Sequence, residues 1–129
     1  MVFWYYIRMY DKSNVFAKIL RNELPSEKEY ENEHAIVIKD KFPKALIHNL
    51  VLPKGEYVDM REFCNNASDL EKLAFIEAIG AELNKFEGGA KVLINIEKDG
   101  GQVVFHLHAH VFGKLEQPSK FFNDMNLQD

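Results

Sequence analysis

Hydrophobic and polar positions alternate most sharply at Phe105-His106-Leu107-His108-Ala109-His110-Val111. Side chains of an extended chain point to opposite faces in turn, so this stretch predicts a strand with three histidines on one face and apolar residues on the other. Asp99-Gly100-Gly101-Gln102 just upstream is a turn signal, and Val103, Val104 and Phe105 favour a strand. Together they predict one strand over 103–112, fed by a tight glycine turn. The apolar run Ala90 to Ile96 (AKVLINI) reads as the strand before that turn, which makes the two a hairpin through residues 97–101. Leu46 to Leu52 predicts another strand, in which His48 shares a face with Leu46, Leu50 and Leu52. Glu29 to Asp40 predicts one more, strongest at Ala35-Ile36-Val37-Ile38, followed by a turn over Asp40 to Lys44 with Pro43.

Helical spacing appears twice. Val15, Phe16, Ile19 and Leu20 form a stripe within Asn14 to Leu24, with Asn14 placed to cap it and Pro25 to stop it. Ser68-Asp69-Leu70-Glu71 has the form of a capping box, and Phe75, Ile79, Leu83 and Phe86 follow as the stripe of a long helix ending at Gly88-Gly89. The order helix, strand, strand, helix, strand, strand predicts an α+β domain, an antiparallel sheet packed on one side by one long and one short helix. All 129 residues read as a single domain, with 1–13 an N-terminal extension and 115–129 a polar tail carrying Phe121-Phe122.

Composition narrows the function classes. At 47% hydrophobic residues a chain of this length can bury a real core. A net charge of -4 argues against a protein that coats nucleic acid. One cysteine, Cys64, excludes an internal disulfide and points to a reducing, cytoplasmic setting. Met1 to Tyr10 (MVFWYYIRMY) is too short an apolar run to span a bilayer, which takes roughly 20 residues, and lacks the basic start and cleavage site of a signal peptide. It reads as an edge strand or arm, or as residues preceding a start at Met9.

The histidine row is the candidate chemistry. In an extended strand residues two apart are separated by roughly 6.6 Å, so one ion cannot take all three imidazoles. A pair leaning onto a metal would need a third ligand, and Cys64 lies in a different segment. Three merely structural histidines would each require a buried partner. His48 alone reads as a buried histidine satisfied within the core. A histidine row beside a flexible, N–H-rich glycine turn points instead to chemistry on a phosphate.

Asn95, then Gly101-Gln102, then His106-Leu107-His108-Ala109-His110-Val111-Phe112 closely resembles the signature of the histidine-triad superfamily, in particular its Hint branch of nucleoside phosphoramidases and nucleotide hydrolases. NVFAKILRNELPSEKEYE resembles the family's opening, and Asp40, Pro43, Ala45, His48 and Leu52-Pro53-Lys54 stand at the family's intervals. The resemblance covers residues 14–113. It implies a HIT-like fold in which His108 attacks the α-phosphorus of a purine nucleoside phosphoramidate or related nucleotide and forms a nucleotidyl-imidazole intermediate that water hydrolyses. It also implies that His110 serves the leaving group, that His106 and His48 form a relay behind the nucleophile, and that Asp40 accepts from the ribose hydroxyls. Asn95 and the backbone N–H groups around Gly101, Gln102 and Val103 would hold phosphate oxygens, and Phe16, Ile19, Leu24 and Ile38 would form the base slot. An AMP-like substrate and a homodimer are implied, with no cofactor.

Several positions depart from the pattern. Asn14 and Ala17 replace the Cys-x-x-Cys of zinc-binding members, which predicts no metal. Val103 replaces a serine that contacts phosphate, a loss worth roughly 3 kcal/mol in the transition state. Lys41 and Leu46 replace an apolar residue and a proline or glycine at the nucleotide edge. The tail has no tryptophan to carry over the family's substrate choice. Two alternatives accordingly stand beside the phosphoramidase: a nucleotide-binding interaction module with incidental hydrolysis, and a dinucleoside polyphosphate hydrolase.

Overall fold

The computed structural model describes residues 8–121, so residues 1–7 of the expected N-terminal arm and residues 122–129 of the tail lie outside it. β1 (Lys28–Glu31), β2 (Ala35–Lys39), β3 (Ile47–Pro53), β4 (Ala90–Leu93) and β5 (Ala109–Gly113) form one sheet in the order β1-β2-β3-β5-β4, with every neighbouring pair antiparallel. This is the α+β architecture predicted from the hydrophobic pattern, and the two strands expected to pair do so, with Leu93 opposite His110, but β4 stops three residues short of Ile96 and the connection is residues 94–108 instead of 97–101.

The two longest expected strands differ as well. The run read as one strand over 29–40 is a hairpin, β1 and β2, because Asn32 Oδ1 accepts from the N–H groups of His34 and Ala35 at 3.0 and 2.8 Å and turns the chain back. The strand expected over 103–112 begins only at Ala109. Upstream of it the chain is held by other partners: Leu107 N–H donates to the Tyr57 carbonyl at 2.8 Å, and Gln102 Nε2 donates to the Val58 carbonyl at 2.7 Å.

α1 (Val15–Leu20) is capped by Asn14, whose Oδ1 accepts from Ala17 N–H, and it stops short of Leu24 as Asn22 enters the left-handed region at φ 62°. The long helix α3 (Asp69–Leu83) carries the full capping box of Ser68 and Glu71. α2 (Met60–Asn66) was not predicted. It has seven residues, one of them buried, so it shows no periodic stripe, and Asp59 caps it by accepting from Glu62 N–H.

The helices also divide between the faces, contrary to the expectation that they share one. Ala35, Val37, Val51, Ala109 and Val111 point to the side where Phe63 of α2 and Phe75 and Ala78 of α3 close the main core. Ile36, Ile38, Leu50 and Leu52, the alternate residues, point the other way and pack under Phe16 of α1. Strand alternation therefore separates a structural face from a second face, and His48 and His110 fall on the second because His48 is opposite Phe112 and Leu50 opposite His110. On the structural face Asn49 Nδ2 donates to the fully buried Glu82 carboxylate of α3 at 2.5 Å, and Lys85 pairs with its other oxygen. No helix among the described residues is long and apolar enough to cross a membrane.

Gly113 ends β5 against the Phe86 ring, where an added Cβ would meet Cε1 at 2.3 Å. Gly113→Ala is expected to lower stability by about 2 kcal/mol, read as a lower urea midpoint at an unchanged slope; an unchanged midpoint would mean Phe86 moves without cost.

Candidate active site

β3 and β5 lie side by side, so the cross-strand neighbours His48 and His110 meet, and the segment before β5, which bends at Val104 and His106, brings in His108 and His106. All four imidazoles are at most 3% exposed. Their hydrogen bonds assign the ring protons. His106 Nε2 lies 2.8 Å from the Pro53 carbonyl and His108 Nδ1 lies 2.7 Å from the His106 carbonyl. A carbonyl only accepts, so both nitrogens donate. In neutral imidazole His108 then carries its in-plane lone pair on Nε2. Lys44 N–H donates to His48 Nδ1 at 3.1 Å, which puts the His48 proton on Nε2, 2.9 Å from His110 Nδ1. His110 Nδ1 is thereby an acceptor, and a neutral His110 holds its proton on Nε2.

Aromatic packing fixes the planes of these rings. His110 stacks on Phe112 at 5.7 Å with 1° between planes, and His48 packs on the same ring at 4.3 Å. Phe16 tilts onto His108 at 4.8 Å, and His108 meets His110 edge-on at 5.0 Å. Burial drives the pKa of His106 and of His48 down to about 4, outweighing the Asp40 carboxylate beside His48. Both are therefore neutral at pH 7.

Asp40 follows β2, with Oδ1 accepting from Phe42 N–H at 2.8 Å and Oδ2 lying 3.2 Å from His48 Nε2. Asp40, His48 and His110 offer three atoms within 4.8 Å of one another, a spacing open to a metal. The Lys44 amide opposes that use, because it occupies His48 Nδ1 and leaves the proton on the nitrogen that would have to ligate. The donor set suits a proton-ordering chain better than an ion.

The glycine turn departs from its expected role in part. Gly101 N–H donates to the Lys98 carbonyl and Gln102 N–H to the Glu97 carbonyl, each at 3.0 Å, so both amides serve the loop rather than a phosphate. The Gln102 side chain is buried and spent likewise: its Nε2 binds the Val58 and Val104 carbonyls and its Oε1 accepts from Glu97 N–H. Gly101 adopts φ 84°, which explains the glycine. Val103 next to it is exposed, and Asn95 is half-buried two residues past β4.

Phe16, Ile19 and Ile38 of the expected base slot pack in one cluster, joined by Ile36, Leu50, Leu52, Leu20 and Val104. Leu24 is exposed and outside that cluster, and Lys41 is exposed on the loop after β2. Sequence reasoning missed Tyr10, whose hydroxyl lies 2.6 Å from His106 Nδ1. A contact across 96 positions has no local signal.

An antiparallel sheet presenting hydrogen-bonded histidines beneath a short apolar helix is a histidine-triad architecture. The HIT domain profile matches residues 21–117, and the chain belongs to that family. It is 44% identical to a HIT-like protein of Azospirillum brasilense over 81% of this chain and 88% of that protein. Among solved structures, a HIT family hydrolase from Clostridium thermocellum is 36% identical at a TM-score of 0.71, covering 81% of this chain and 93% of the other. A histidine triad nucleotide-binding protein from Candida albicans is 26% identical at a TM-score of 0.70, covering 81% and 77%.

The neutral buried histidines bear on acid stability. An unfolded histidine takes up a proton near pH 6.5 and the folded His106 only near pH 4, so the unfolded state binds more protons between these values. Stability is thus expected to fall as pH drops through that window, and more steeply in the wild type than in His106→Gln. Urea midpoints at pH 7, 5.5 and 4.5 check this; parallel pH slopes would contradict it.

Proposed function

We propose that this protein is a metal-free nucleotide hydrolase that cleaves purine nucleoside phosphoramidates through a nucleotidyl-His108 intermediate. The observation that carries the reading is the bond from His108 Nδ1–H to the His106 carbonyl, which turns the lone pair of the neutral ring onto Nε2. Nε2 attacks the α-phosphorus as the P–N bond breaks, and the leaving amine keeps the bond's electron pair and takes a proton from solvent while His110 Nε2–H donates a hydrogen bond to the departing nitrogen. Water then attacks phosphorus and displaces the neutral His108 imidazole, and its surplus proton returns to solvent. His48 donates to His110 Nδ1 and so keeps the His110 proton on Nε2. The Asp40 oxygens each retain a lone pair for a ribose hydroxyl. Phe16, Ile19 and Ile38 face the base, and Asn95 serves the phosphate.

The hydrolase from Clostridium thermocellum and the nucleotide-binding protein from Candida albicans support this class of activity. A homodimer is part of the reading, supported by β4 as an edge strand and by exposed Val92, Ile96, Leu73 and Ile76. The cytoplasm is the proposed setting, in keeping with the free, exposed Cys64. A second reading, a nucleotide-binding interaction module with slow turnover, is favoured by Val103, which supplies no side-chain donor.

With chelator-treated protein and an adenosine phosphoramidate bearing a fluorescent amine, His108→Ala is expected to lose about 10⁴-fold or more in kcat while AMP binding persists. Unchanged turnover would remove His108 from the mechanism. Val103→Ser is expected to raise kcat about tenfold or more by restoring a donor; no gain in the same assay would show that this position does not meet the developing charge.

A further inference from the structure

The segment ahead of α1 reaches the histidine row from 96 residues away. Tyr10 Oη lies 2.6 Å from His106 Nδ1, and the two rings meet edge-on at 5.6 Å and 66°. Since His106 Nε2 donates to the Pro53 carbonyl, Nδ1 of the neutral ring is an acceptor and the tyrosine hydroxyl donates to it. Burial raises the Tyr10 pKa further above its ordinary value, so the hydroxyl keeps its proton across the neutral range.

Arg8 anchors the same segment. Its guanidinium binds both oxygens of Glu97, Nη2 to Oε1 at 2.5 Å and Nε to Oε2 at 3.3 Å, and lies 3.7 Å over the Phe105 ring. Glu97 sits in the left-handed region at φ 58° and accepts through its carbonyl from Gly100 and Gln102 N–H, so Arg8 grips the residue that closes the glycine turn. Phe105 directly precedes His106. The strap therefore touches the turn and the row at once.

Resting on the reading of His108 as nucleophile, we propose that Tyr10 is a positioning residue for catalysis, holding His106 so that the His106 carbonyl fixes the tautomer and direction of His108. The chain of contacts is continuous: Tyr10 Oη to His106 Nδ1, His106 Nε2 to the Pro53 carbonyl, and the His106 carbonyl to His108 Nδ1. With both ring nitrogens bound, His106 has one orientation. Without the hydroxyl it keeps one anchor and a buried, unsatisfied acceptor, and the carbonyl that orders His108 is less well placed. If Tyr10 were only packing, phenylalanine would serve as well, because the ring contact needs no hydroxyl.

The test is full-length Tyr10→Phe in the phosphoramidate assay, with kcat normalised to AMP-binding sites so that loss of folded protein cannot imitate loss of catalysis. The expected result is a fall in kcat of about tenfold with the AMP Kd within twofold. In combination with His106→Gln, the tyrosine substitution is expected to add nothing to the loss caused by His106→Gln alone, because both act through one ring. An unchanged kcat in Tyr10→Phe, or losses that multiply in the double variant, would overturn the proposal. His108→Ala is run alongside: if it kept full turnover, the nucleophile assignment itself would fail, whereas an inactive His108→Ala beside an unaffected Tyr10→Phe would reject the role of Tyr10 alone.

Discussion

The arrangement of this site depends on one hydrogen bond, from His108 Nδ1 to the carbonyl of His106. A strand in register would spend that carbonyl on a neighbouring strand, yet here the ladder begins only at Ala109. Residues 102–108 bend at Val104 and His106 and are tied by Tyr57, Val58 and Pro53, which leaves a main-chain oxygen to order an imidazole. Backbone is a better fixture than a side chain for this task, since it has fewer rotors to immobilise. The path of the chain itself thus selects which nitrogen of His108 carries the lone pair.

Burial and pairing then divide the labour among the four histidines. His106 and His48 are held neutral by desolvation, and each has a main-chain partner, a carbonyl for one and an amide for the other. They set the direction of a proton without carrying charge. The Phe112 ring beneath His48 and His110 limits how those two can turn, and it is itself packed by Phe121 at 4.6 Å. The Glu82–Asn49 pair sits on the opposite face of β3, one residue from His48, so the same strand carries a buried ion-paired contact and a histidine of the candidate site on alternate positions.

Much of this was legible in the residues. The alternation at 105–111 placed the imidazoles on one face, the capping box located α3, and Asn14 located α1, because these signals are local. What was hidden was decided by partners distant in sequence. The break between β1 and β2 turns on the Asn32 side chain finding two amides, and the late start of β5 on carbonyls at 53, 57 and 58. Gln102 reads as part of a phosphate turn, yet its amide is consumed by Val58, Val104 and Glu97. The placement of α1 and α3 on opposite faces follows from which alternate residues of β2 and β3 each one covers, a fact that either pattern alone leaves open.

The measurement that bears most directly on the account is the tautomer of each imidazole, read from ¹⁵N chemical shifts and ring proton couplings of histidine-labelled protein at pH 7. The account predicts His108 with its proton on Nδ1, and His106 and His48 with theirs on Nε2. A His108 protonated mainly on Nε2 would contradict it, since the nitrogen assigned to attack phosphorus would then hold a proton in place of its lone pair.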